Sequence, residues 1–116
     1  MQNFPLVSVI CLSYNHEAYV VEALNSVINQ TYPNIELLIA DDCSDDNSIG
    51  VIKDWVKNHP EVHFSTNEKN LGNTKTFNQL AKIAKGEFII DLAADDLLVP
   101  NCIEKQVTTF QNSKYK

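Results

Sequence analysis

The sequence has no arginine: its nine basic residues are all lysines, against fifteen acidic residues, and the formal net charge is -6. A protein that binds a nucleic-acid backbone usually presents a basic face, so this balance argues against a nucleic-acid partner. The same shortage of cations means that side-chain charge alone could not hold a diphosphate. Backbone N–H groups or a metal ion would have to offset the phosphate charge.

Glycine is also scarce, with only three in 116 residues, which excludes a glycine-rich phosphate loop. The Walker A, GxGxxG, GxSxG and HExxH patterns are all missing. A nucleotidyltransferase, which has a similar sheet, usually begins with a basic glycine-rich loop, so the sequence disfavours that class.

The three cysteines, Cys11, Cys43 and Cys102, are widely spaced and form no CxxC pair. This spacing argues against a disulfide framework or a zinc site and favours a reducing cytosol. The sequence also lacks any run near the ~18 apolar residues that a membrane-crossing helix needs. We therefore expect a cytoplasmic chain, with membrane association left open for a longer parent protein.

Two kinds of apolar pattern alternate along the chain. Short, nearly continuous apolar runs are typical of strands buried on both faces, and the segments between them have apolar residues at a helical period. The order βαβαβαβα predicts an α/β fold with an open, mainly parallel sheet and helices on both faces. The length fits one domain, residues 1–116. The predicted strands cover residues 6–12, 35–40, 62–65 and 87–92.

Capping residues suggest where the four helices begin and end. The first is expected from Glu17 to about Gln30, and Ser44 or Asp46 is the expected N-cap of the second. Lys85-Gly86 is the expected stop signal of the third helix, and Pro100 suits the first turn of the fourth.

The predicted strands are almost wholly apolar, and each is followed by polar residues. In an open parallel sheet, ligands bind beyond the carboxyl ends of the strands, where the strand order reverses. This asymmetry is the strongest functional signal that the residues carry by themselves. The polar groups are Ser13, Tyr14 and Asn15 after the first strand, Asp41, Asp42, Ser44 and Asp45 after the second, Thr66 and Asn67 after the third, and Asp95 and Asp96 after the fourth.

Two of these strand ends carry adjacent carboxylates, which repel each other by ~1 kcal/mol or more near a surface. A hard cation such as Mg²⁺ or Mn²⁺ relieves this repulsion, because it prefers oxygen ligands. The alternative for both pairs is turn formation or helix capping. That alternative is weaker for Asp95-Asp96, since Pro100 and other residues nearby can start the last helix.

The three histidines form no ligand constellation in the sequence. His59 precedes Pro60 in a loop and His63 lies in a predicted strand, so both are interpreted as structural or solvated. His16 follows Asn15 and could approach the strand ends, but the spacing identifies no partner for it.

Taken in order, these segments resemble family 2 glycosyltransferases. Any one segment would be a weak match, but several in the correct order are specific, and together they extend from about Leu6 to Phe110. The segments are residues 7–15 with Tyr19 and residues 30–32, residues 36–39 leading into residues 41–46, Asn67 with residues 70–72, residues 84–88, and residues 94–96 followed by Pro100.

The resemblance implies a GT-A fold whose N-terminal half binds a nucleoside-diphosphate sugar. By similarity, Ser13, Tyr14 and Asn15 would border the base and ribose, and Asp42 would accept a hydrogen bond from the base, usually from a uracil N–H. Asp95 would lie near the ribose and beside the metal. Asp96 would bind the metal, Mn²⁺ or Mg²⁺, that bridges the diphosphate, and Lys75 would face the base or the phosphates.

The resemblance also implies what the chain does not contain. In such enzymes a carboxylate from the C-terminal half deprotonates the acceptor hydroxyl, so the general base is expected beyond Lys116. Transfer from a UDP-sugar with inversion, to a saccharide or lipid-linked acceptor in polysaccharide biosynthesis, would need that half. We therefore expect residues 1–116 to bind donor and metal without transferring sugar. Apolar surface left by the missing half makes a homodimer one alternative.

The sequence departs from the family pattern at two positions. Ala93 stands where an acid is more frequent, and Leu12 replaces the usual proline at the end of the first strand. A rival interpretation is a non-catalytic nucleotide-binding or interaction module of the α/β class, which would show no metal-dependent affinity for nucleotides. A phosphoryl-transfer receiver domain fits poorly, because its acidic pair follows the first strand.

Overall fold

In residues 4–113, which the computed structural model describes, four strands alternate with four helices in the expected order. The α/β class is confirmed. The elements are β1 (Val7–Ser13), α1 (Val20–Ile28), β2 (Ile35–Asp41), α2 (Ser48–Val56), β3 (His63–Thr66), α3 (Asn73–Ile83), β4 (Phe88–Ala93) and α4 (Cys102–Ser113).

All strand pairs in the described sheet are parallel, and the strand order is β3-β2-β1-β4. Val7 of β1 lies opposite Ile35 of β2 on one side and Phe88 of β4 on the other. The chain builds outward from β1 through β2 to β3 and then crosses to β4. The strand order therefore reverses between β1 and β4, which is where a sheet of this kind binds ligands.

The central strand β1 is buried along its whole length, as its apolar run predicts. Val7, Val9 and Cys11 pack in a core that includes α1, α2 and α4. Ile10 and Leu12 point to the other face and pack in a core with α3. Helices thus cover both faces, as expected. None of the helices in residues 4–113 combines the length and hydropathy that a membrane span requires.

Two expected helix starts are wrong by a few residues. α1 begins at Val20 because residues 17–19 form a turn, and the residue that precedes α2 is Asn47 rather than Ser44 or Asp46. Asp46 still supports this helix start, since its Oδ1 accepts the Ser48 N–H at 2.9 Å. The side chain thus acts one position earlier than a usual N-cap.

The expected role of Gly86 as a helix stop is also wrong. α3 ends at Ile83 with Ala84 in an extended conformation, and Gly86 has no positive φ. Gly86 instead lies against β1, where its N–H donates to Ser8 Oγ at 2.9 Å. A Cβ at this position would lie 2.6 Å from both Ser8 N and Ser8 Oγ. Glycine is needed here for close approach, not for a left-handed turn.

The contrast between two glycines gives a stability test. Gly86→Ala should destabilise the fold by about 1–3 kcal/mol, because the new methyl group meets the β1 backbone. Gly50→Ala is the matched control, since the three atoms nearest to its Cβ all belong to the side chain of the exposed Asn47. That control lies in a helix and should be neutral or stabilising by about 0.5–1 kcal/mol. Urea denaturation measures both; equal effects would contradict the close-approach argument.

Candidate functional site

A cleft of about 250 Å³ opens at the carboxyl ends of β1 and β4, where the strand order reverses. Larger depressions exist, such as one of about 420 Å³ beside Phe4 and Tyr32, but that one lies next to the amino ends of the strands. The position at the switch point favours the smaller cleft. Its lining residues are Leu12, Tyr14, His16, Asn73, Asp91, Ala93 and Asp96.

The loops that follow β1 and β2 are tied together by Asn15. Its side-chain Oδ1 accepts the backbone N–H of Asp45 at 2.7 Å and that of Asp46 at 3.3 Å. The backbone N–H of Asn15 donates to Ser44 Oγ at 2.9 Å. Asn15 has a positive φ of 56°, a conformation that Asn adopts more readily than most residues. The Asn15 side-chain oxygen is therefore committed to the neighbouring loop.

Asp46 extends this connection to the helix starts. Its Oδ2 accepts the Glu17 N–H at 3.1 Å, while Glu17 Oε1 accepts the Asn47 N–H at 3.2 Å. Burial alone would raise the pKa of Asp46, but hydrogen bonds from Ser48 and Glu17 and the charge of His16 lower it below its ordinary value. The turn before α1 is thus held against the start of α2. The sequence motifs did not predict this contact.

Asp42 is almost fully buried, with 4% of its surface exposed. Its Oδ1 accepts the Leu71 N–H at 2.7 Å and the Asn67 Nδ2–H at 2.9 Å, and its Oδ2 accepts the Gly72 N–H at 2.8 Å. Burial would raise the pKa of Asp42, but these hydrogen bonds lower it below its ordinary value. Asp42 thereby fixes the loop that leads into α3, and the next residue, Asn73, lines the cleft.

The surroundings of Asp41 agree with turn formation, which was one of the alternatives for the pair Asp41-Asp42. It is fully buried, and its two carboxylate oxygens accept the Ser44 N–H at 2.8 Å and the Ser44 hydroxyl at 2.5 Å. Cys43, between them, has a positive φ of 62°. Turn formation is therefore confirmed for Asp41.

The second acid pair is exposed. Asp96 Oδ1 accepts the Leu97 N–H at 3.1 Å, and the side chain of Asp95 is 55% exposed, with Oδ2 at 3.8 Å from His16 Nε2. No group of three or more His, Cys, Asp or Glu side chains in the described residues could hold a metal ion. Two carboxylates fit a hard cation that takes its other ligands from substrate phosphates and water.

The other expected site residues differ in position. Tyr14 is 40% exposed and lines the cleft, whereas Ser13 is buried and its Oγ has no hydrogen-bond partner in the described part of the chain. Lys75 is exposed in the first turn of α3 and is not among the lining residues. The cleft also contains Asp91, which the motif comparison missed. Its period-two relation to Ala93 along β4 could have revealed it.

Comparisons with known proteins identify the family. Residues 8–116 match the family described as Glycosyl transferase family 2. An uncharacterized glycosyltransferase of Haemophilus influenzae is 35% identical over 115 residues, which are 99% of this chain and 36% of that protein.

Two solved structures have the same fold. The first is S. aureus TarS in complex with UDP-GlcNAc. The match covers 92% of this chain and 31% of the TarS chain, with a TM-score of 0.82 and 30% identity. The second is the mannosyltransferase PcManGT from Pyrobaculum calidifontis in complex with GDP-Man and Mn²⁺. The match covers 82% of this chain and 29% of the PcManGT chain, with a TM-score of 0.73 and 26% identity. The chain spans well under half the length of these proteins. Its fold matches the GT-A glycosyltransferases, and the chain belongs to glycosyl transferase family 2.

Proposed function

We propose that this chain is the donor-binding part of a glycosyltransferase that uses a nucleoside-diphosphate sugar, a UDP-sugar in the first instance. The observation that carries the proposal is the cleft between β1 and β4, which joins Tyr14 and Asp96 at the switch point of the sheet. The UDP-GlcNAc complex of TarS and the GDP-Man complex of PcManGT support it.

Ser13, Tyr14 and Asn15 are proposed to border the base and ribose. The exposed ring of Tyr14 supports this role, since an aromatic face suits a base or sugar. Asp42 is proposed to accept a hydrogen bond from a uracil N–H. Its Oδ2 accepts one protein N–H and has capacity for a second donor, because a carboxylate has about four acceptor positions.

Asp96, with Asp95 beside it, is proposed to hold Mn²⁺ or Mg²⁺, which would neutralise the charge of the bound diphosphate. The chain's own contribution to that charge balance comes from α3, whose first residue, Asn73, lines the cleft. The N-terminal end of a helix carries a partial positive charge, which favours an anion. Lys75, in the first turn of α3, is proposed to face the base or the phosphates.

The acceptor side of the reaction is proposed to lie in another part of the protein. A general base beyond Lys116 would deprotonate the hydroxyl of a saccharide or lipid-linked acceptor, and attack on the opposite face of the sugar would invert its anomeric configuration. Residues 1–116 are then one part of a GT-A domain, serving polysaccharide biosynthesis. We expect this chain alone to bind the donor without transferring sugar.

Calorimetric titration with UDP and with GDP, each with and without Mn²⁺, tests donor binding. We expect UDP to bind more tightly than GDP. Removing Mn²⁺ should weaken UDP binding at least about 10-fold, since the cation offsets much of the diphosphate charge. Asp96→Ala should abolish the effect of Mn²⁺.

The matched control is Asp54→Ala, which removes an exposed carboxylate on α2 outside the cleft. This variant should bind UDP like the wild type. Equal UDP affinity with and without Mn²⁺ would contradict the metal assignment. If neither nucleotide bound under any condition, a non-catalytic interaction module would be favoured instead.

Asp42→Asn tests whether Asp42 also holds the fold. An amide has only one acceptor oxygen, so part of the hydrogen bonding to residues 67, 71 and 72 is lost, at a cost of about 1–3 kcal/mol at pH 7. Because the pKa of Asp42 is lowered on folding, its stabilising effect is present above the ordinary value of about 4 and is lost as the pH falls through the lowered pKa.

The stability difference between wild type and Asp42→Asn should therefore shrink on acidification below about pH 4. Urea denaturation at several pH values measures it, with Asp54→Asn as the control that keeps the fold intact. A difference that did not change with pH would mean that the charge of Asp42 contributes nothing to stability.

A further inference from the structure

His16 is held at the cleft by contacts from three directions. Its backbone N–H donates to Ser48 Oγ at 3.0 Å, and its Nδ1 accepts the Tyr14 N–H at 3.3 Å. Its Nε2 lies 3.8 Å from Asp95 Oδ2. The side chain of His16 is 25% exposed, so it is partly enclosed and still open to the cleft that it lines.

The contact with Tyr14 determines where the imidazole carries its proton. A backbone N–H can only donate, so Nδ1 must present a lone pair to it. In neutral histidine the single ring proton then sits on Nε2. The ring nitrogen that carries the proton is then the one that lies 3.8 Å from Asp95 Oδ2, so His16 can donate to this carboxylate without having to be charged.

A second carboxylate, Asp46, lies near His16 but forms no ion pair with it in the described residues. Asp46 is held by the N–H and hydroxyl of Ser48, at 2.9 and 2.5 Å, and by the Glu17 N–H at 3.1 Å. The carboxylate that lies beside His16 Nε2 is that of Asp95.

We infer that His16 is a positioning residue that orients Asp95 towards the donor nucleotide, an inference that rests on the proposed function. Asp95 is exposed and adjoins Asp96, whose like charge repels it. A donor beside Oδ2 attracts that oxygen to His16 and leaves Oδ1 available to the nucleotide. The separation of 3.8 Å is longer than a hydrogen bond, and such contacts commonly shorten when a ligand binds.

The role of His16 can be measured as a coupling to Asp95 in UDP binding with Mn²⁺ present. His16→Phe should weaken binding about 3- to 10-fold, because Asp95 loses its partner. His16→Gln, whose amide can donate from a position near Nε2, should stay within about 2-fold of the wild type. In an Asp95→Asn background, His16→Phe should have little further effect. His63→Phe, at the exposed start of β3, is the control.

A second measurement does not depend on nucleotide binding. Nitrogen-15 NMR of the imidazole rings in the ligand-free protein at pH 8 should show His16 with its proton on Nε2. A proton on Nδ1 would overturn the inference. So would wild-type UDP affinity in His16→Phe, or an equal loss of affinity whether residue 95 is Asp or Asn.

The outcomes separate the two proposals. If the wild type binds UDP and the His16 variants behave like it, the positioning role is overturned and the proposed function stands. If the wild type binds no nucleotide, the proposed function fails and the positioning role fails with it, whatever the tautomer. The NMR measurement uses the wild-type protein, so the tautomer test stands should His16→Phe fold poorly.

Discussion

The site depends on one buried charge, the carboxylate of Asp42. A carboxylate taken out of water is costly unless N–H groups compensate it, and Leu71 and Gly72 supply two such groups from the loop before α3. This requirement fixes the start of α3 relative to the end of β2. Asn73 is consequently brought to the cleft, where Asp96 approaches from the end of β4.

The two acid pairs share a sequence pattern but differ in their surroundings. The protein satisfies Asp41 and Asp42 with its own donors, so their negative charge is already compensated in the fold. Asp95 and Asp96 are exposed at a turn, and Asp96 lines the cleft. Metal binding is therefore proposed for the β4 pair, while Asp41 and Asp42 also hold in place the loops that follow β2 and precede α3.

The order of the strands and helices could be predicted because apolar runs and helical periodicity are patterns within short segments of the sequence. The role of Gly86 could not, since it depends on how closely that residue approaches Ser8, 78 positions away in sequence. For the same reason the contact between His16 and Asp95 could not be predicted, because it arises from the parallel pairing of β1 and β4. The motif resemblance assigned binding roles to Asp42, Asp95 and Asp96 but gave no means of separating a buried acid from an exposed one.

Ala93 stands where the family resemblance predicts an acid, yet the cleft remains acidic. Side chains two residues apart on a strand share a face, so Asp91 and Ala93 both line the cleft, about 7 Å apart along β4. Asp91 and Asp96 then supply two negative charges, and no lysine is among the lining residues. This acidity supports the proposal that a diphosphate binds here with a cation beside it. The absence of arginine and the exposed acids thus support the same proposal, that a metal ion accompanies the bound nucleoside-diphosphate sugar.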